Sequence, residues 1–171
     1  MKGYIQVYTG NGKGKTTAAL GLALRAVGAG LRVFMAQFVK GSKYSEVSGV
    51  ERLGEAITLR HYGLGFFVNR EPDEADFKAA RDGLKEIQAI MQSGRYDVVI
   101  LDEANIATYY KLFSVEDLLA FMAAKPDHVE LVLTGRMADP RVIAAADLVT
   151  EMREVKHYYK EGVEARLGIE K

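Results

Sequence analysis

The stretch Thr9-Gly10-Asn11-Gly12-Lys13-Gly14-Lys15-Thr16-Thr17 narrows the possible folds more than any other part of this chain. Before it, Tyr4-Ile5-Gln6-Val7-Tyr8 reads as a buried strand. After it, the alanine- and leucine-rich run from Thr17 to Ala29 reads as a helix stopped by Gly30. Leu31 to Phe38 is again a short, largely apolar strand, so residues 4–38 spell strand, glycine loop, helix, strand: one βαβ unit. A loop in that position lies at the carboxyl edge of the sheet, where such folds bind ligands. Gly10, Gly12 and Gly14 let several N–H groups turn inward, and the following helix adds its positive end, so phosphate is the natural guest. Lys15 would reach phosphate oxygens as a point charge, and the Thr16 hydroxyl can ligate magnesium. The plainer reading, a glycine-rich hairpin, fits poorly with a Gly-Lys-Thr-Thr end set between a strand and a helix.

Two details of the loop depart from the pattern G-x-x-x-x-G-K-[ST] or add to it. Thr9 stands where the first glycine belongs, but that position sets the turn out of the strand, and a β-branched residue can hold it with negative φ. Lys13 places a second cation on the loop. It either serves a ligand carrying several phosphates or points into water, and the residues leave both open.

Farther along, Lys40 to Ser48 is polar and glycine-containing and reads as a loop. Ala56 to Arg60 is a short strand, followed by an apolar loop from Gly63 to Val68. That loop is either core or a lid that offers a dry wall to a large flat ligand. A helix begins after Pro72 and carries Phe77, Ala80, Leu84, Ile87 and Met91 at helical spacing, ending near Gly94. Gly83 inside it costs about 1 kcal/mol relative to alanine. Tyr96 to Glu103 is a buried strand ending in two carboxylates. Val115 to Ala124 is a helix stopped by Pro126, Val129 to Thr134 a strand, Pro140 to Ala146 a short helix, and Asp147 to Met152 a last strand. Strands alternating with helices imply an α/β fold with a mainly parallel sheet covered on both faces. No repeat or linker interrupts it, so residues 1–171 are expected to form a single domain.

Asp102 and Glu103 would be costly buried acids unless they have work to do. Beside a phosphate loop they can hold magnesium directly or through its waters, and in a hydrolase the second acid would orient an attacking water. Arg136 leaves the end of another strand and serves either as a phosphate clamp or as a structural ion pair. The three histidines, His61, His128 and His157, have no metal-type spacing. With 23 basic and 23 acidic residues the formal charge is zero, so no global field recruits nucleic acid or a membrane surface. The absence of cysteine excludes disulfides, cysteine-ligated zinc and a thiol nucleophile. No signal segment or membrane-spanning run is evident, and a cytoplasmic location is expected.

The loop from Gly10 to Thr17 with Ala18 to Ala26, together with Gln37-Phe38-Val39-Lys40-Gly41, Gly65-Phe66 and Val99-Ile100-Leu101-Asp102-Glu103, resembles the P-loop-type ATP:cob(I)alamin (corrinoid) adenosyltransferases. Leu133-Thr134-Gly135-Arg136, Ala146-Asp147-Leu148-Val149-Thr150-Glu151-Met152, Lys156-His157, Gly162 and Gly168-Ile169 extend the match along nearly the whole chain.

The resemblance implies a three-layer P-loop NTPase-like (RecA-like) fold and a reaction in which the Co(I) of a reduced corrinoid attacks the 5′ carbon of ATP. Triphosphate leaves and a cobalt–carbon bond forms, with no protein nucleophile. It implies ATP held by Gly10, Asn11, Gly12, Lys13, Gly14, Lys15, Thr16 and Thr17, reversed in the loop relative to ordinary NTPases. The leaving group would be stabilised by Lys13, Lys15 and Arg136. Mg2+ (or Mn2+) would sit at Thr16, Asp102 and Glu103, and the corrinoid would lie against Phe66, Phe67 and Val68. Where the family commonly has a tryptophan, this chain has Val68, which points to lower activity or a corrinoid lacking the usual axial base. Relatives often carry an N-terminal extension over the site, so a more open site is expected here. A homodimer and a reductant protein such as a flavodoxin-type donor complete the expected partners; nucleic acid and membrane are not among them. Two other readings stand beside this one. One is a P-loop ATPase or nucleotide switch in which Glu103 orients a hydrolytic water; the other is a nucleotide- or corrinoid-binding protein without turnover.

Overall fold

Among the described residues, six strands of four or five residues each form the sheet: β1 (Ile5–Thr9), β2 (Val33–Gln37), β3 (Ile57–His61), β4 (Val98–Asp102), β5 (Glu130–Thr134) and β6 (Leu148–Glu151). The computed structural model describes residues 2–39, 45–63 and 71–170. All strand pairs are parallel, and the order across the sheet is β3-β2-β4-β5-β1-β6. The helices are α1 (Lys15–Gly28), α2 (Ser45–Glu51), α3 (Glu74–Gln92), α4 (Ala104–Tyr109), α5 (Val115–Ala123) and α6 (Pro140–Ala145). This is the parallel α/β architecture that the alternating pattern predicts.

Both faces of the central strands are covered, which is why they read as unbroken apolar runs rather than alternating ones. One face gathers Tyr8, Val33, Met35, Val98, Ile100 and Val132 under α1. That helix offers Ala19, Ala23 and Ala26, small side chains that let it lie close to the sheet. The opposite face gathers Val7, Phe34, Phe38, Val99, Leu101, Leu131 and Leu133 with the buried stripe Ala80, Leu84, Ile87 and Met91 of α3. Asp73 starts α3 with a capping box, accepting from Ala75 and Asp76 N–H while the Asp76 side chain accepts from Asp73 N–H. Gly83 has a reason to be there: a Cβ at that position would lie 2.5 Å from the Tyr62 ring, so the helix gives up propensity to let Tyr62 pack.

Two elements differ from the sequence reading. Ser45 to Ser48, read there as loop, belongs to α2, whose buried Val47 and Val50 are spaced three apart behind a polar-looking sequence. The stretch after Glu103 forms the short helix α4, buried over most of its length. It starts abruptly because Glu103 adopts the left-handed conformation, φ 61°. The other elements shift by a residue or two; the strand after Tyr96, for instance, ends at Asp102.

The register of the sheet builds the site before any side chain is considered. Gln37 pairs with Asp102, Leu101 with Leu133, Tyr8 with Thr134 and Thr9 with Glu151. The carboxyl ends of five strands therefore align at one edge. β1 leaves that edge into the glycine loop, two strands away from β4.

Candidate functional site

The glycine loop closes over the sheet edge and is anchored from below by the edge strand. Gly12 N–H donates to the Met152 carbonyl at 2.6 Å, and Met152 N–H donates to the Thr9 carbonyl at 2.8 Å. A Cβ on Gly12 would fall 2.8 Å from that same Met152 oxygen, so only glycine fits the approach. Gly14 caps α1 at φ 110°, a conformation glycine adopts without strain. Thr9, in place of the pattern's first glycine, is simply the buried last residue of β1.

Lys15 is 7% exposed and folds back across the loop. Its Nζ donates to the carbonyls of Gly10 at 2.8 Å and Gly12 at 2.7 Å. Two of its three donors are thus taken by the loop itself, and one is left for a ligand. Burial, helped by the charge of Arg136, lowers its pKa against the opposing pull of Glu103 and Asp102. Thr16 Oγ1 donates to Asp102 Oδ1 at 2.8 Å, Thr134 Oγ1 donates to the same oxygen at 2.6 Å, and Gln37 Nε2 reaches Asp102 Oδ2 at 3.2 Å. Asp102 is fully buried, and these contacts satisfy the buried charge. Beside it, Gln37 Oε1 is buried with no hydrogen-bond partner among the described residues. Glu103 N–H donates to Thr134 Oγ1 at 3.1 Å, which fixes the strained turn at the start of α4.

A cleft of about 680 Å³ opens over these groups. Loop residues Gly12 to Thr17 form one wall, Glu103 and Arg136 reach it from the ends of β4 and β5, Ser45 and Glu46 from α2, and His157 and Gly168 to Glu170 close the far side. The structure therefore brings together Lys13, Lys15, Thr16, Asp102, Glu103 and Arg136, which the sequence singles out separately. Phe66, Phe67 and Val68 lie outside the described residues. His157 is a local cap, its Nδ1 accepting from Tyr159 N–H at 3.1 Å. A second cleft of about 770 Å³, lined by Leu112, Phe113, Met137 and Pro140 among others, does not include the glycine loop.

Lys13 has partners that neither of its two sequence readings foresaw. Its Nζ donates to Glu170 Oε1 at 2.9 Å and to the Tyr158 hydroxyl at 3.2 Å. Burial draws its pKa down, but the hydrogen bonds to Glu170 and Tyr158 outweigh that and leave it raised. Glu170 and Tyr158 carried no signal of their own: Lys156-His157 and Gly168-Ile169 stand next to them in the chain, but no motif or periodicity includes either residue. Thr134 and Gln37 stood inside quoted motifs without a role; the strand register is what gives them one.

A parallel sheet with a glycine loop, a loop lysine and a Thr–Asp pair at its carboxyl edge defines a P-loop nucleotide-binding fold. The fold is shared with the flagellar accessory protein FlaH from Methanocaldococcus jannaschii. The TM-score is 0.62 at 13% identity over 88% of this chain and 71% of that one. The family model for ATP:corrinoid adenosyltransferase BtuR/CobO/CobP matches residues 1–170, and the chain belongs to that family. The corrinoid adenosyltransferase of Pseudomonas aeruginosa is 36% identical over 170 residues, covering 99% of this chain and 84% of that protein. The corrinoid adenosyltransferase CobA of Salmonella typhimurium is also 36% identical over 170 residues, covering 99% and 86%.

Proposed function

We propose that this protein transfers the 5′-deoxyadenosyl group of ATP to the Co(I) of a reduced corrinoid, releasing triphosphate. The observation that carries this reading is a cleft with a phosphate cradle on one wall, in a chain that matches the adenosyltransferase family from end to end. The nucleophile is the substrate's own cobalt: its electron pair forms the bond to C5′, and the C5′–O bond breaks with its pair going to triphosphate. The protein must then hold ATP still and stabilise the departing charge. Loop amides, Lys15, Lys13 and Arg136 suit that task. Phe66, Phe67 and Val68 remain the residues proposed to face the corrinoid.

Magnesium fits the residues present. Thr16 and Asp102 offer hard oxygen donors, Glu103 lines the same cleft, and the orphaned Gln37 Oε1 beside Asp102 suits a hydrogen bond from a metal-bound water. The metal would neutralise phosphate charge; Thr16, Asp102 and Glu103 would hold it, with Gln37 orienting its waters. A homodimer, a flavodoxin-type reductant and a cytoplasmic location belong to the same reading through the family resemblance. Among the described residues no helix is long and apolar enough to cross a membrane.

Product analysis tests the proposal. ATP with chemically reduced corrinoid is expected to give triphosphate and a light-sensitive cobalt–carbon product. ADP and phosphate formed without corrinoid, and abolished by Glu103→Gln, would establish the hydrolase reading instead.

A further inference from the structure

Segment 158–170 packs beside the phosphate loop through charged and hydroxyl side chains. Glu170 is the centre of this contact: its side chain is only 13% exposed although it belongs to a surface turn. It accepts from Arg166 N–H at 2.8 Å, from Arg166 Nε at 3.2 Å and from Arg166 Nη2 at 3.1 Å. The Tyr158 hydroxyl donates to it as well. These partners drive its carboxyl far below the usual range, with Arg166 the largest cause. Among the described residues, four hydrogen bonds reach the acid from its own segment and one from the loop, that of Lys13.

This imbalance decides what Glu170 does. An acid that merely filled the phosphate site until ATP arrived would have to leave it, breaking the bonds to Arg166 and Tyr158. An acid anchored by its own turn stays, and the flexible partner is Lys13. The Lys13 stem is a four-carbon chain that is 42% exposed and would otherwise sweep through solvent. Glu170 and Tyr158 take two of its three donors and leave one for a ligand oxygen. Charges also favour a phosphate guest, since Lys13 and Arg166 together outnumber the one carboxylate they share.

We infer that Glu170, with Tyr158 and Arg166, is a positioning residue that holds the Lys13 ammonium at the mouth of the cradle to meet the triphosphate. The inference rests on the triphosphate-binding part of the proposed function. It adds an acid on the far wall of the cleft that works through a loop lysine.

A variant cycle tests it. Affinities for tripolyphosphate and for ATP are measured by calorimetry in the wild type, Glu170→Ala, Glu170→Asp, Lys13→Met and the Lys13→Met/Glu170→Ala double variant. Alongside, kcat and KM for ATP are measured in the adenosyl-transfer assay. Glu170→Ala is expected to weaken tripolyphosphate binding about tenfold, as loss of one charge-assisted hydrogen bond implies. Glu170→Asp should recover part of that loss, and the double variant should bind no worse than Lys13→Met alone. Tighter binding by Glu170→Ala would overturn the inference, because the acid would then compete for the cradle. Losses that multiply in the double variant would also overturn it, because Glu170 would then act through the fold rather than through Lys13. If the wild type binds tripolyphosphate yet forms no cobalt–carbon product, the adenosyltransfer reading fails while the binding arms still decide this one.

Discussion

The two lysines of the phosphate loop, Lys15 and Lys13, sit two residues apart and are held in opposite ways. Lys15 is buried and tied to the carbonyls of its own loop, beside a fully buried Asp102. Lys13 stands at the rim, tied to side chains 145 and 157 positions away in sequence. The inner wall of the cleft is therefore fixed by the sheet, and the outer wall by a surface turn. Rigid core geometry suits groups that must not move during the reaction, whereas at the rim the lysine stem itself is 42% exposed and owes its placement to side-chain contacts alone.

The contrast breaks most visibly at Lys15. Lys15→Ala should cost about a hundredfold or more in ATP affinity, well beyond the loss at Lys13, because the lost charge-assisted contact lies in a buried setting. Equal losses at the two positions, read by calorimetry, would erase the distinction between the walls. Asp102→Asn tests the inner wall from the metal side: ATP affinity should fall about tenfold or more with magnesium present and change little in chelator. An equal loss in both conditions would move Asp102 from metal holding to loop support.

Gly12→Ala examines what lies beneath the loop. The added methyl meets the Met152 carbonyl at 2.8 Å, so the loop or β6 must shift. Thermal unfolding should show a loss of about 1–3 kcal/mol, typical of overpacking. A neutral result would mean that β6 does not hold the loop in place.

Titration sharpens the comparison with the smallest effect. Burial lowers the pKa of Lys15, so raising the pH deprotonates it before an ordinary lysine, while Lys13, whose pKa is raised, keeps its proton longer. ATP affinity should therefore fall with rising pH from below the usual lysine value, by a few-fold at first. The Lys15→Arg variant, charged throughout, should flatten that fall, and Lys13→Met should leave it in place.

What could be read from the sequence followed the local density of signal. Gly10 to Thr17 announces itself because loop chemistry, strand and helix are contiguous. Asp102 stands out as an acid at the end of an apolar run. The α2 helix was missed because only Val47 and Val50 mark its buried side amid serine, glycine and glutamate. The α4 helix was missed because a left-handed Glu103 begins it without a sequence cap. Glu170 was missed for a different reason: its role depends on a contact with Lys13 that no local pattern encodes. Gln37 and Thr134 became interpretable only through the strand register, a property of the assembled sheet.

The bond from Gly12 to Met152 ties the first loop of the chain to the end of its last strand. Until β6 has joined the sheet the loop lacks its floor, so completing the cradle requires the most sequence-distant strand pairing, that of β1 with β6. The same linkage runs in reverse in the finished protein. A nucleotide that binds only the completed cradle stabilises the state in which β6 is docked. Hydrogen exchange at Leu148 to Met152, on an exposed sheet edge, should slow when ATP binds.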